Sequence, residues 1–139
     1  MKEFGQDMVH SMGKDTTGLG RWCWLKLKGT GSITRVIVAY AACITRKTAQ
    51  NATIAQQRRY WRENGDKRCP RKIFREQRIQ DLTAWSEEGD TLILFINSNE
   101  NMENGPLQRM LENNDLQLKD IIKTRSNMPG PPTFVRCSR

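Results

Sequence analysis

The run TLILFI, Thr91 to Ile96, constrains this chain more than any other stretch. It has no polar–apolar alternation, so it is predicted to be a strand covered on both faces, as in layered α/β proteins. The run ends abruptly in Asn97, Ser98, Asn99 and Glu100. Functional side chains often sit at the carboxyl end of such a strand, where the chain leaves the core and polar groups can face a cleft. On an extended chain Asn97 and Asn99 point to the same side and together could hydrogen-bond a phosphate or a water. The bland alternative is a turn, since NSNENMENG is rich in turn-forming residues.

Around this strand the chain divides plainly. Residues 1–20, with Gly5, Gly13, Gly18 and Gly20, show no period and are predicted to be an irregular lead-in. RWCWLKLKG and ITRVIVAYAA, joined by GTGS, are predicted to form a hairpin. From Ala52 to Glu63 the pattern is helical and is ended by NGD; a second helix opens at Pro70 and reaches EEGD. Arg78 stands inside the apolar stripe of Phe74, Leu82 and Trp85, so it either snorkels to the edge, weakens the packing, or faces an acid on a partner. Gly105 and Pro106 open a short helix with Leu107, Met110 and Leu111 on its apolar face, whereas LQLKDIIK fits strand or helix equally. The order predicts one domain, 21–139, of α/β sandwich class. GTGS is not followed by a helix, which excludes the dinucleotide fingerprint and the phosphate-binding P-loop.

Of 139 residues, 23 are Lys or Arg and 15 Asp or Glu, a net charge of +8. That balance admits nucleic acid as a partner. Arginines concentrate at Arg58, Arg59, Arg62, Arg68, Arg71, Arg75 and Arg78, and the first five are the candidate phosphate contacts. The four cysteines form no C-x-x-C pair, so zinc and thioredoxin-like chemistry are poorly supported. The N-terminus lacks the apolar core of a secretory signal and the apolar runs are far shorter than a membrane span. Reduced thiols in an intracellular protein, nuclear or cytoplasmic, with no membrane contact are expected. His10, the only histidine, lies in no motif, and Glu3, Asp7 and Asp15 belong to no recognisable metal set.

TGLGRWCWLKLKG, RVIVAYAAC, QQRRYWRENGDKRCPRKIF, AWSEEGDTLILFINSNE and GPLQRMLENNDLQLKDI, in that order, resemble the middle part of the endonuclease/exonuclease/phosphatase superfamily, and more narrowly its retrotransposon-encoded versions. The resemblance spans roughly residues 13 to 135. It implies a partial α/β sandwich truncated at both ends. It also implies a phosphate-binding Asp-x-Asn at the end of TLILFI, with Asn99 matching the Asn and Asn97 standing in place of the Asp. Tyr40 matches a phosphate-contacting Tyr, with Ala42 where the family has Pro. Thr133 and Phe134 match the segment before the family's Asp-His pair, which is not found here, nor is its metal-binding Glu.

Hydrolysis of this kind needs a cation and a base. An amide at position 97 supplies neither well. The expectation is therefore a fragment without catalytic activity that acts as a basic binding or interaction module. An Mg²⁺-dependent endonuclease with Tyr40, Asn97 and Asn99 as its site is one alternative, and an accessory subunit of a larger assembly is another. A binding module needs no cofactor, and an active enzyme would need Mg²⁺. A half-covered sheet would favour a protein partner or a second copy.

Overall fold

A computed structural model describes residues 8–44, 52–102, 104–116 and 118–126. It has an α/β fold with strands β1 (Val9–Lys14), β2 (Trp22–Lys28), β3 (Ile33–Tyr40) and β4 (Thr91–Asn97). Its helices are α1 (Thr53–Glu63), α2 (Pro70–Glu87), α3 (Pro106–Asn113) and α4 (Ile121–Ser126). The sheet order is β1-β2-β3-β4, antiparallel between the first three strands and parallel between β3 and β4. No described helix is long and apolar enough to cross a membrane.

The β2–β3 hairpin closes through Gly29 N–H donating to the Ser32 carbonyl at 2.8 Å, with Gly31 at φ 77°. Only glycine adopts that left-handed backbone without strain. Pro70 starts α2, where its missing N–H is harmless, and Gly89 at φ 82° follows its end. The ambiguous LQLKDIIK divides, with only its Ile121 to Lys123 portion entering α4. Part of the stretch read as irregular is corrected here, because residues 9–14 form β1, an edge strand with a bulge between Val9 and Ser11. Thr133 and Phe134 lie outside the described residues.

Successive strand residues face opposite sides of the sheet. On one side, Trp24, Ile37 and Leu94 lie in one cross-strand row, and α2 and α3 close over them. Ile37, Ile79, Leu82, Leu107, Leu111 and Leu116 form the main core there, and Ala39, Ala41 and Phe74 a second cluster. Opposite Trp24 on β1 stands Gly13, and a Cβ at that position would lie 2.6 Å from the Trp24 ring. The ring cannot easily retreat, since it meets Trp85 edge-on at 5.8 Å and Arg35 lies over it at 4.5 Å. Gly13→Ala is expected to cost about 1–3 kcal/mol in a urea titration, through overpacking.

Arginine and tryptophan interleave in this inner layer. The Arg35 guanidinium lies between the rings of Trp24 and Trp85, at 4.5 and 4.3 Å, and is paired to Asp90 at 2.6 Å. Arg21 lies 5.1 Å from the Trp61 ring. Arg78 corrects its expectation: it neither snorkels nor awaits a partner's acid but lies buried 4.0 Å over Trp22, bonded to Asp81 of its own helix. Burial pushes its pKa down to about 10. A cation over an indole face is held by the ring quadrupole, which lets a charge occupy an otherwise apolar stripe.

Among the described residues, the other side of the sheet is open. Val38 is 51% exposed, Phe95 59% and Met12 73%, although all three stand on strands. Among the described residues TLILFI is therefore covered on one face: Leu92, Leu94 and Ile96 pack inward, and Thr91 and Phe95 face outward. The run is apolar on both faces, but α2 and α3 both pack against the same one.

Candidate functional site

Because β3 and β4 are parallel, their carboxyl ends emerge side by side, and the register places Tyr40 beside Asn97. Both are exposed on the open face. These two members of the expected constellation are brought together by the sheet itself.

Asn99 is not aligned with them as an extended chain would require. The strand ends at Asn97, and Asn99 turns to φ 49°, a left-handed conformation that asparagine tolerates better than most residues. Its side-chain amide N–H donates to the Ala41 carbonyl at 2.8 Å, and its backbone N–H donates to Asn97 Oδ1 at 3.3 Å. Asn99 thus fastens the ends of β3 and β4 together instead of presenting its amide beside that of Asn97.

The same turn is clamped from below. Buried Arg71 donates to the Ser98 carbonyl at 2.6 Å and the Asn99 carbonyl at 3.0 Å, and pairs with Glu100 at 3.3 Å. Arg75 reaches Glu100 at 3.2 Å, and the other Glu100 oxygen accepts the Leu107 N–H at 3.2 Å in the first turn of α3. Glu100 therefore caps that helix as well, offsetting one of the donors a helix start leaves unpaired. Sequence reasoning missed this role of Glu100; seven residues before Leu107, it carried no helix-start signal.

The five candidate phosphate arginines separate. Arg58, Arg59 and Arg62 are exposed on α1, within about one helical turn of each other. Arg68 is engaged by Asp66 at 2.6 Å and Glu76 at 2.5 Å, and its hydrogen bonds hold the Asp66 carboxyl below its ordinary range. Arg71 is the clamp just described. Of these five arginines, the α1 group therefore presents a basic surface to an anion.

Asp15, which lay in no motif, anchors the loop between β1 and β2. Its carboxylate accepts from Arg21 Nε at 2.7 Å, Arg21 Nη2 at 3.0 Å and Thr17 Oγ1 at 2.6 Å, with both side chains of the ion pair almost wholly buried. Burial alone would raise its pKa, but these bonds outweigh it and hold the carboxyl well below the usual range. His10 is exposed on β1, and Cys23, Cys43 and Cys69 are free thiols.

Chemically, the Tyr40 hydroxyl and the Asn97 amide can both hydrogen-bond a phosphate oxygen. A magnesium ion seeks carboxylates and waters. At this strand end the Asn97 amide oxygen accepts the Asn99 N–H, and the nearby carboxylate of Glu100 is engaged by Arg71, Arg75 and the Leu107 N–H. Among the described residues no three His, Cys, Asp or Glu side chains group together. Compared with known proteins, the chain matches no family model, no curated protein and no solved structure.

Proposed function

We propose that the chain is an endonuclease/exonuclease/phosphatase-like domain fragment of the retroelement-encoded type, built on an α/β sandwich plan, that binds without cleaving phosphodiesters. The observation that carries this reading is the open, apolar sheet face beside Tyr40 and Asn97. Apolar strand residues left facing water mark a surface that a partner covers. The exposed α1 arginines supply a second working surface, suited to a phosphate backbone. Both surfaces fit an accessory role in an intracellular assembly.

The face is tested by charging it. Val38→Glu with Phe95→Glu is expected to lower the stability of the dilute chain by no more than about 1–2 kcal/mol, the part lost coming from two like charges set directly opposite on β3 and β4. Circular dichroism against urea measures it. A loss of several kcal/mol would mean that the face is core and the reading is wrong.

A second reading, Mg²⁺-dependent endonuclease, is favoured by one observation, the adjacency of Tyr40 and Asn97 at the carboxyl ends of a parallel pair. It is opposed by the amide at position 97 and by the engagement of Asn99 with Ala41.

A further inference from the structure

We infer that the open sheet face binds a second copy of this chain, face to face, about a two-fold axis running along the strands. The inference rests on the reading of that face as a docking surface and names what covers it.

The rows across the sheet have a definite order. Met12, Leu25, Val36 and Ile93 form one apolar row on the open side. Lys14, Cys23, Val38 and Phe95 form the next, and Tyr40 and Asn97 lie beyond it. At the opposite end Val9, Leu27, Thr34 and Thr91 form a further row, so the face is apolar in its middle with polar groups toward both ends, and Lys14 is the sole charged side chain in these rows.

A two-fold axis along the strands keeps the ends of two facing sheets in register while exchanging their edges. It sets β1 over β4 and β2 over β3, so apolar rows meet apolar rows. It also brings Lys14 of one copy to the end of β4 in the other, where the Asn97 amide oxygen and the Tyr40 hydroxyl can accept from its ammonium. A self-complementary patch of this kind is what a closed two-fold dimer requires.

The size is adequate. Four strands about 4.8 Å apart and seven residues at about 3.3 Å each give a footprint of roughly 440 Å² per copy. Side-chain relief brings the total for two copies past about 1,000 Å², the lower range of specific interfaces. Sheets packed this way lie about 10 Å apart with strands within about 30° of each other. With +8 on each chain, repulsion elsewhere opposes pairing, so the dimer is weak at low salt and strengthens as salt screens it.

Sedimentation equilibrium of the full chain, from low to high micromolar and at two salt concentrations, tests this. The expected result is a mass rising to twice that of the chain, with tighter association at higher salt, and at least a tenfold weakening in the folded Val38→Glu/Phe95→Glu variant. The arrangement has its own test. In Asn97→Asp, carbodiimide is expected to couple position 97 to Lys14 between copies, a link that three strand spacings, about 14 Å, forbid within one chain. A monomer at every concentration, or a dimer unaffected by the charged variant, overturns the inference. If the variant stays folded while the unaltered chain is monomeric, the face still serves another partner and only self-pairing falls; if the variant unfolds, both readings fall.

Discussion

Asp15→Asn is expected to lower the stability of the fold by about 3–5 kcal/mol, the usual cost of leaving one member of a buried ion pair uncompensated. The substitution keeps the shape of the side chain and removes its charge. Arg21, 2% exposed, would lose its buried counter-charge and face an NH2 donor in place of one carboxylate oxygen, keeping Gln77 as an acceptor at 2.8 Å and its place near the Trp61 ring. The melting temperature is expected to drop by more than 10 °C for a chain of this size, on the order of 3–5 °C per kcal/mol. The effect has a pH signature. The Asp15 carboxyl has a lower pKa folded than unfolded, so its contribution is fully present above about pH 4 and is lost as the pH falls further. The difference between variant and unaltered chain should therefore shrink below pH 4. Asp81 works in the opposite direction: burial raises its pKa against the pull of Arg78, so acid relieves the folded state there. Subtracting the variant from the unaltered chain isolates the Asp15 part. A difference that stays constant from pH 7 to pH 2.5 would contradict the ion-pair account.

Arg35→Met is expected to cost about 3 kcal/mol. Methionine fills much of the slot between Trp24 and Trp85, so the loss reports the charge more than a cavity. Asp90, with its side chain 2% exposed, would be left with Lys26 at 3.3 Å as its remaining basic partner. Chemical denaturation with tryptophan fluorescence reads both the midpoint and the surroundings of the two indoles. A variant as stable as the original would show that the Trp–Arg–Trp stack is incidental.

These inner arginines mark where the sequence was legible and where it was not. The hairpin, α1, α2, α3 and β4 all announce themselves by period, by Pro70 and Pro106 at helix starts, and by Gly31, Gly65 and Gly89 at turns. β1 does not, because VHSMGK has no apolar alternation of its own. It is a strand because β2 pairs with it and because Gly13 leaves room for the Trp24 ring. The arginine run from 58 to 78 reads as one basic surface, yet it belongs to two helices with different faces turned inward. Arg71, Arg75 and Arg78 recur at the spacing of an inward stripe, and a charge in such a stripe is stabilised only by partners that sequence does not locate, here Glu100, Trp22 and Asp81.

The candidate site was legible in part for a similar reason. The parallel pairing that sets Tyr40 beside Asn97 could be anticipated from two apolar runs separated by helices. The turn that diverts Asn99 to the Ala41 carbonyl could not, since an Asn two residues past a strand fits an extended chain and a left-handed bend equally well. The open face is the converse case. The unbroken apolar run TLILFI predicts cover on both sides, yet among the described residues Phe95 stays exposed, because an apolar run does not say whether its second cover comes from the same chain.

The proposed function is binding of a phosphate backbone without its cleavage. Incubation of the full chain with supercoiled plasmid in Mg²⁺, followed by agarose electrophoresis, tests it most directly. The expected result is retarded migration that disappears as salt is raised, with no nicked or linear product even at high protein concentration. Nicked circles that appear only with Mg²⁺, and that are lost in Tyr40→Phe and Asn97→Ala, would contradict it.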